Sequence, residues 1–234
     1  KTGKKNDKTA GVFSVIGGDL KDIGTTFAQG EFKTRLSFLI MGLGPLLRGQ
    51  IVKGLAFLAS ELFFLWYITG LGMVYLGKLA TLGTVETQKI HRRTIYGDNS
   101  FLILLFGILT IVIILAFLFI WRMNIRENRE EERILRSGKK LPTNGTFLYS
   151  FLDHNFDKTL LALPCLGIFI FTVLPILFMV CVAFTNYDAN HQAPTNLFTW
   201  VGLENFKSLF SFGTSGFAET FVKVLIWTLV WAFF

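Results

Sequence analysis

The chain has 234 residues, of which 52% are hydrophobic, and its mean hydropathy is +0.52. A soluble domain of this size would not need uninterrupted apolar runs of membrane-spanning length, so the composition predicts an integral membrane protein with several spans. The formal net charge is +7, but the basic residues cluster beside the apolar segments and no aromatic-plus-basic nucleic-acid motif occurs. We therefore expect these residues to set the topology and to contact anionic membrane lipid, with no nucleic-acid partner.

The cysteines and histidines predict neither a disulfide nor a metal site. Cys165 and Cys181 lie in one apolar segment. On a helix they would be about 24 Å apart, which is too far for a bridge. His91, His154 and His191 are scattered without the spacing of metal ligands. We accordingly expect no metal, no cofactor and no catalytic residue in this chain.

Residues 1–53 are predicted to form a cytoplasmic tail followed by an interfacial or re-entrant segment. The first part, up to Arg35, is polar, basic and interrupted by glycines. Leu36–Leu47 is apolar but has only twelve residues, and a helix needs about 20 to cross the hydrocarbon core. A short, strained span is the alternative, and it would invert the topology of the following segments unless another segment compensated.

Residues 54–121 are predicted to form a pair of membrane helices, Gly54–Gly77 and Phe101–Trp121. Glu61 is the only charged residue of the first of these spans. A carboxylate inside a span is costly, and it indicates either a functional role or an internal partner. We favour a structural role for Glu61 over a role in transport. In this role Glu61 either lies shallow enough for its carboxylate to reach the membrane surface or pairs with Lys53 two turns earlier.

Residues 122–159 are predicted to form a charged cytoplasmic linker between the second and third spans. The segment begins as RMNIRENREEERILRSG, which is typical of a solvated helix that ends near Gly138. Two i,i+4 ion pairs are predicted within it: Arg126–Glu130 and Glu132–Arg136. The aromatic residues that follow among polar ones indicate an amphipathic approach to the membrane.

Leu160–Phe184 contains no charged residue and is long enough, at roughly 38 Å, to cross a hydrocarbon core of about 30 Å. Pro164 and Pro175 are eleven residues apart, so they lie on nearly the same face, and each is predicted to kink the helix. Breaks of this kind are tolerated in lipid where neighbouring helices satisfy the freed carbonyls. We therefore expect protein neighbours for this helix, with a simple anchor as the alternative.

A polar loop follows, with a short interfacial helix predicted at Leu203–Phe210 and a further span beginning at Phe217. The fold class is thus an all-α polytopic membrane protein, with about three complete spans and the start of a fourth. Because the sequence begins with Lys1 and stops within an apolar run, we interpret it as the N-terminal portion of a longer protein.

The distribution of basic residues predicts the orientation in the membrane. Residues 1–53 and 122–159 together contain 17 Lys and Arg, whereas residues 78–100 and 185–216 contain five. Cytoplasmic loops carry the excess of Lys and Arg. We therefore expect a multi-pass protein of the cell membrane with a cytoplasmic N-terminus and the loop of residues 185–216 on the outer side.

Residues 160–210 resemble a known family. Two prolines in an LP…P pattern, the run FTNYD, a polar loop and VGLENFKSLF are similar to the permease subunits of binding-protein-dependent ABC sugar importers. The run KTRLSFLIMGLGPLLRGQIVKG and the run LATLGT resemble the MalF-like maltose and maltodextrin permeases, whose members carry extra spans before a shared core. The resemblance covers most of residues 30–234 and implies that residues 160–234 begin this core.

The resemblance implies a transport subunit without its own catalytic site. Its partners would be a second related permease, two ATP-binding subunits that hydrolyse ATP, and an extracytoplasmic sugar-binding protein. No segment matches the family's cytoplasmic coupling loop, and the substrate-binding residues are expected beyond Phe234. Asn186, Tyr187 and Asp188 are candidates for shaping the outward mouth, although helix termination and interface anchoring are the favoured roles.

Two other classes of function stay open at this stage. A membrane-protein insertase or assembly factor would need a hydrophilic groove with a charge inside the bundle, for which Glu61 is the candidate. A membrane-anchored sensor would use residues 122–159 as its signalling linker and would need a soluble effector domain.

Overall fold

The computed structural model describes residues 23–90, 93–153, 156–210 and 217–234. Within these ranges three helices are long and apolar enough to cross a membrane: Ile51–Lys78, Ser100–Arg136 and Phe156–Val182. We refer to them as the first, second and third membrane helices. The predicted fold class, an all-α polytopic membrane protein, is confirmed. The predicted polar tail up to residue 22 and the side chains of His91 and His154 lie outside the described residues.

The helices follow one another as α1 Phe32–Leu39, α2 Leu43–Leu47, α3 Ile51–Tyr67, α4 Met73–Lys78, α5 Ser100–Arg136, α6 Asn144–Leu152, α7 Phe156–Ile168, α8 Leu174–Val182, α9 Glu204–Phe210 and α10 Phe217–Phe233. Residues 23–29 are also helical. A π-helical turn, Ile68–Gly72, joins α3 to α4, and a second one, Phe169–Val173, joins α7 to α8. The short helix predicted after the third span is confirmed as α9, and its interfacial position stays a prediction.

The chain forms two compact units. The first contains the residues up to Thr69 together with Val112–Pro164, and the second contains Gly70–Ile111 together with Cys165–Phe234. The second membrane helix therefore contributes its N-terminal part to the second unit and its C-terminal part to the first. Each unit is described by itself below.

In the first unit, the apolar segment Leu36–Leu47 is divided between α1 and α2 and does not form a single span. Gly42 separates the two helices with φ at +83°, a left-handed conformation that glycine adopts without strain. A Cβ atom at Gly42 would collide with the backbone carbonyl of Gly54 in α3. The chain thus turns sharply against the start of the first membrane helix, which agrees with the predicted non-spanning segment.

The apolar and charged parts of the second membrane helix form one uninterrupted helix of 37 residues. The sequence between Trp121 and Arg136 contains neither glycine nor proline and is rich in Arg and Glu, which favour helix. Gly138, with φ at +75°, ends the helix, and the amide of Lys139 donates to the carbonyl of Ile134 at 3.2 Å. The charged linker is therefore a direct extension of the span.

Of the two ion pairs predicted on this extension, the pair between Glu132 and Arg136 is confirmed. Glu130, for which Arg126 was the predicted partner, lies 3.9 Å from Arg133 instead. Both arrangements join residues three or four apart, which are neighbours on a helix surface.

In the third membrane helix, the two prolines lie on either side of the π-helical turn. Pro164 is inside α7, and Pro175 stands in the first turn of α8. The amide of Leu174 donates to the carbonyl of Phe169, five residues earlier, so the hydrogen-bond register shifts just before Pro175. The kinks predicted at the prolines remain a prediction, but the register shift lies where proline removes a donor.

The second unit has a small core below two connecting loops. Leu82, Ile103, Leu104 and Phe198 are buried together, and partly buried residues pack around them: Tyr75, Leu79, Ile108, Phe178, Cys181 and Val182. A two-stranded antiparallel hairpin, β1 Gln88–Ile90 and β2 Arg93–Ile95, extends from the first of these loops, with Gln88 opposite Ile95. The sequence predicts only a connection between two spans in this region.

Candidate functional site

The residues predicted to shape an outward mouth lie in the second unit, where two loops meet. We call residues 79–99 and 183–203 together the loop cluster. Its second loop leaves the third membrane helix at Val182 and is closed at its base by Asn205 of α9. The side-chain amide of Asn205 donates to the carbonyls of Ala183 and Thr185 at 2.9 and 2.7 Å. These bonds satisfy acceptors that a helix end leaves without an intrahelical partner.

Asn186 and Tyr187 hold the two ends of this loop together. The amide of Asn186 donates to the carbonyl of Thr199 at 3.1 Å, and the side-chain oxygen of Asn186 accepts from the amide of Thr199 at 2.6 Å. The ring of Tyr187 stands edge-on to the buried ring of Phe198, with 5.4 Å between centroids. The contacts of both residues therefore close the loop, and the predicted roles in helix termination and interface anchoring stay predictions.

Asp188 lies at the exposed tip of the loop and organises a tight turn. Its Oδ1 accepts hydrogen bonds from the amides of Asn190 and His191, each at 2.8 Å, and lies 2.8 Å from Nδ1 of His191. The side-chain contact with His191, followed by the backbone donors, lowers the pKa of the Asp188 carboxyl below its ordinary value of 3.8. The loop tip thus presents a carboxylate and an imidazole to the solvent.

Asp98 has the corresponding role in the other loop. Its Oδ1 lies 2.5 Å from Nζ of Lys78, and its Oδ2 accepts from the amides of Thr84 and Val85 at 3.0 and 3.2 Å. The hydrogen bond from Lys78, followed by that from Thr84, lowers the pKa of Asp98 below its ordinary 3.8. One ionised carboxylate therefore fixes the chain as it leaves the first membrane helix.

Hydrogen bonds join the two loops directly. The hydroxyl of Thr87 donates to the carbonyl of Pro194 at 2.7 Å, and the indole of Trp200 donates to the carbonyl of Leu79 at 2.9 Å. The amide of Phe198 donates to the hydroxyl of Ser100 at 3.2 Å. The loop cluster is consequently a connected surface of amide, carboxylate and aromatic groups, which suits hydrogen bonding to a polar ligand or a docking protein.

The described residues of the loop cluster show no grouping that resembles a reactive centre. Within the parts of the chain that the structure describes, no group of three His, Cys, Asp or Glu side chains is placed to share a metal ion. Asp188 and His191 form a pair without a third group to orient them and without a hydroxyl or thiol nucleophile among their contacts. The groups described at this surface are donors and acceptors of hydrogen bonds.

The first unit contains a second polar assembly, which the sequence analysis missed. We call it the buried polar cluster, and its members come from α1, α2, α3 and the charged part of α5: Thr34, Ser37, Arg48, Lys53, Asn124, Glu127, Asn128, Glu131 and Glu132. Its central feature is Arg48, whose side chain is 2% exposed. Buried charges of this kind require paired partners, because the desolvation of an isolated ion is costly.

Arg48 contacts three residues of the buried polar cluster. Its Nη1 donates to Oδ1 of Asn128 at 3.0 Å and to Oε2 of Glu131 at 3.2 Å, while its Nη2 donates to the hydroxyl of Thr34 at 2.6 Å. The carboxylate of Glu131 is itself only 3% exposed and also lies 3.2 Å from Nζ of Lys53. The N-terminal segment is therefore attached to the second membrane helix through ionic hydrogen bonds.

Two asparagines of the second membrane helix complete this attachment. The side-chain amide of Asn124 donates to the carbonyl of Ser37 at 2.8 Å, and its Oδ1 accepts from the amide of Gly42 at 3.2 Å. The amide of Asn128 donates to the hydroxyl of Ser37 at 2.9 Å. Asn124, Asn128 and Glu131 recur at i, i+4 and i+7, a spacing that places them on one helix face and that could have identified it from the sequence.

The predicted contact between Glu61 and Lys53 is wrong, although both residues have internal partners. Oε2 of Glu61 accepts the backbone amide of Met41 at 2.7 Å, and Lys53 lies 2.6 Å from Glu127. Eight residues along a helix correspond to about 12 Å, which is beyond the reach of one ion pair. Glu61 thus fixes the chain at the end of α1. This structural contact accounts for the one carboxylate on which the insertase alternative depended.

The fold defines a polytopic membrane protein, and comparison with known proteins narrows the class further. The chain is 31% identical, over 207 residues, to the maltodextrin transport system permease protein MdxF of Bacillus subtilis. It is 29% identical, over 205 residues, to the maltodextrin permease protein MalC of Streptococcus pneumoniae. It is 32% identical, over 201 residues, to the galactooligosaccharide permease protein GanP of Bacillus subtilis. The predicted resemblance to sugar permeases is confirmed.

The alignments cover a larger share of this chain than of its relatives. They include 88%, 87% and 82% of this chain, but 45%, 45% and 44% of the respective relatives. The chain thus spans about half the length of the curated relatives that it matches. No family model matches the chain, and no solved structure matches it.

Proposed function

We propose that this chain forms part of a permease subunit of an ABC importer for oligosaccharides, with maltodextrin as the favoured substrate. The observation that carries the proposal is the similarity to MdxF over 88% of the chain, in a fold with three membrane-crossing helices. The match to the galactooligosaccharide permease GanP supports the broader substrate class, a soluble oligosaccharide. In this role the subunit has no catalytic site, and partner subunits hydrolyse the ATP.

The same proposal includes an orientation in the membrane. The N-terminus and residues 122–159, which carry most of the Lys and Arg, lie in the cytoplasm, and the loop cluster lies on the outer side. The buried polar cluster then belongs to the cytoplasmic part of the protein. This orientation supports the role of Asn186, Tyr187 and Asp188 at the outward mouth, where they hold the loop that a sugar-binding protein would approach.

The transport step requires partners. A second related permease would complete the translocation pathway, two ATP-binding subunits would act from the cytoplasm, and an extracytoplasmic binding protein would deliver the sugar. Alternation between inward-open and outward-open states would follow the ATP cycle, as ligand and nucleotide binding shift populations between them. Residues 54–121 would form the pair of helices that precedes the permease core, and the core would begin near Leu160, after the cytoplasmic linker of residues 122–159.

Uptake measurements test this function. The full-length protein is co-expressed with its neighbouring permease, ATP-binding and sugar-binding subunits, and the entry of labelled maltodextrin is followed with and without cellular ATP. We expect ATP-dependent uptake that requires every subunit, and co-purification of the protein with the ATP-binding subunit. Uptake that persists without the ATP-binding subunit, or no co-purification, would refute the proposal. Labelled galactooligosaccharide in a parallel assay decides between the two substrates.

A further inference from the structure

A stripe of arginines runs along one face of the second membrane helix where that helix leaves its apolar part. The five residues recur at intervals of four, three, four and three positions, which places them on one side of a helix: Arg122, Arg126, Arg129, Arg133 and Arg136. We call them the arginine stripe. Asn124, Asn128 and Glu131, which belong to the buried polar cluster, lie on the buried face of the same helix. The stripe lies beside this face and contacts the cluster through the ion pair of Arg136 with Glu132.

The stripe forms one wall of a cleft in the first unit. Residues 23–30 lie beside the helix, and the cleft between them has a volume of about 630 Å³. Its lining consists of Thr26, Arg122, Ile125, Arg126, Arg129, Glu130 and Arg133. Four guanidinium groups therefore face one carboxylate, that of Glu130, which lies 3.9 Å from Arg133 at the end of the cleft farther from the apolar segment.

The position of the cleft along the helix matches the level of lipid headgroups. The apolar run ends at Trp121, whose indole donates to the carbonyl of Phe38 at 3.2 Å, and tryptophan is enriched at the membrane–water boundary. With a rise of about 1.5 Å per residue, Arg122 and Arg126 lie roughly 1.5 and 7.5 Å beyond Trp121. The headgroup region on each side of the hydrocarbon core is about 5–8 Å thick.

We propose that the part of this cleft nearest the membrane, formed by Arg122 and Arg126 with Arg129 behind them, binds the phosphate of an anionic phospholipid. Guanidinium groups bind phosphate oxygens in a bidentate geometry, and their charge is retained at any physiological pH. Clusters of basic residues that directly follow a membrane helix attract anionic lipid. The site does not depend on the transport function proposed above.

An acidic protein segment is a less suitable occupant, because the two arginines nearest Trp121 lie within the headgroup layer rather than in open water. A lipid also differs from a free anion in that its acyl chains remain in the bilayer beside the apolar residues of the same helix. Thr26, an uncharged residue, also lines the cleft. This combination fits a phosphodiester headgroup with a single negative charge, such as that of phosphatidylglycerol.

Binding of a fluorescent phosphatidylglycerol to the purified full-length protein in a neutral detergent tests the site. The probe is displaced by unlabelled phosphatidylglycerol, by phosphatidylcholine or by inorganic phosphate in separate arms. The test variant is Arg122→Gln with Arg126→Gln. The matched control is Lys139→Gln with Lys140→Gln, which removes the same charge from exposed positions beyond the end of the helix.

For the unaltered protein and the control variant, we expect displacement by phosphatidylglycerol at much lower concentration than by phosphatidylcholine. The double arginine variant is expected to bind the probe about 25-fold more weakly, or about fivefold for each arginine. If the double variant does not fold, the single change at the exposed Arg126 gives the same test with about a fivefold loss.

Three results would overturn the proposal. Equal displacement by phosphatidylcholine would show that the headgroup charge is not recognised, and displacement by inorganic phosphate at the same concentration would indicate a free-anion site. Equal weakening in the lysine control would show a general charge effect rather than a site. The variant Arg126→Lys keeps the charge but loses the bidentate geometry, so it is expected to bind the probe more weakly than the unaltered protein and more tightly than Arg126→Gln.

Discussion

Arg48 holds the N-terminal helices of the first unit against the second membrane helix through Thr34, Asn128 and Glu131. Replacement of Arg48 by Ala leaves the carboxylate of Glu131 buried with Lys53 as its remaining cationic partner. Removal of one member of a buried ion pair costs about 3–5 kcal/mol. We expect the Arg48→Ala protein to unfold at a clearly lower temperature in detergent, as followed by circular dichroism.

Arg133 provides the matched control. It lies on the second membrane helix, to which Arg48 is bound, but its own side chain is 82% exposed. The change Arg133→Ala is expected to alter the unfolding free energy by no more than about 0.5 kcal/mol. Equal effects of the two changes would contradict the central position assigned to Arg48.

Glu61 gives a prediction that separates structure from transport. In Glu61→Gln the side-chain oxygen still accepts the amide of Met41, whereas Glu61→Leu leaves that amide without its acceptor. We expect the glutamine variant to be close to the unaltered protein in both thermal stability and sugar uptake. The leucine variant is expected to lose about 1–3 kcal/mol, the cost of an unsatisfied buried polar group. Loss of uptake in the glutamine variant, with stability intact, would instead assign the charge a direct role.

At the scale of residues, the sequence predicts which side chains need partners but not which partners they find. Glu61 was recognised as costly because it lies inside a span, and this inference was right. Its partner Met41 and the partner of Lys53, Glu127, are 20 and 74 positions distant in sequence. Periodicity within one helix carries no information on such contacts, because they depend on how separate helices pack.

At the scale of elements, the packing of the turn between α1 and α2 against the first membrane helix is tested by changing a single glycine to alanine. At Gly42, with φ at +83°, a Cβ atom would collide with the carbonyl of Gly54. Gly49 has nearly the same φ, +84°, but a Cβ atom there has nothing within 4 Å. We expect Gly49→Ala to cost about 1–2 kcal/mol, the strain of the left-handed conformation alone.

Gly42→Ala should cost more than this, because the collision adds to the same strain. The measurement is the difference in thermal unfolding between the two purified variants. Equal costs would show that α2 and the first membrane helix are able to separate without loss, and the close approach would then have no structural importance.

Asp98 predicts a pH dependence for the first loop of the loop cluster. Its pKa is lowered below 3.8 by the hydrogen bond from Lys78 and by backbone donors. The stabilisation is therefore fully present above that ordinary value and is lost as the pH falls through the lowered folded-state pKa. We expect the amides of Thr84 and Val85 to be protected from hydrogen exchange above pH 3.8, after correction for intrinsic rates, and to lose protection in more acidic solution.

The variant Asp98→Asn is the control for this dependence, since it cannot ionise. Its exchange at Thr84 and Val85 is expected to be faster than in the unaltered protein at neutral pH and nearly independent of pH. A pH dependence that persists in this variant would assign the effect to another group.

At the scale of elements, apolar length predicts the membrane helices well. The observed Ile51–Lys78 and the start of the second membrane helix at Ser100 agree with the predicted Gly54–Gly77 and Phe101 to within three residues. The hairpin at Gln88 was missed because its strands have only three residues each and lack a clear alternation. The continuity of the second membrane helix was missed because a change from apolar to charged residues alters the solvent of a helix without breaking it.

The proposed orientation of the whole molecule rests on the asymmetry of its Lys and Arg residues, and labelling with a membrane-impermeant thiol reagent tests it. In a background where Cys165 and Cys181 are replaced by Ala, Asn190→Cys should react from outside intact cells. Ser137→Cys should react only after the cells are permeabilised. The opposite pattern would refute the orientation, and labelling of both sites in intact cells would indicate that the loops do not alternate across the membrane.

At the scale of the whole molecule, composition and charge predict the class of protein, and the runs FTNYD and VGLENF predict the family resemblance that the comparisons confirmed. What the sequence does not predict is the division into two units, because α1 and α2 appear as a polar tail and an isolated apolar segment. The partners of the polar residue Ser37 in α1 are not evident from the sequence, because Asn124 and Asn128 lie about ninety positions later in the chain.

The uninterrupted second membrane helix has a mechanical consequence. Because no joint separates the part in lipid from the charged part, a rotation of either part about the helix axis rotates the other by the same angle. Slippage by one residue would turn the helix by about 100° and carry Asn124 and Asn128 away from Ser37. Any twist imposed in the bilayer must either carry α1 and α2 along with it or break the hydrogen bonds that attach them.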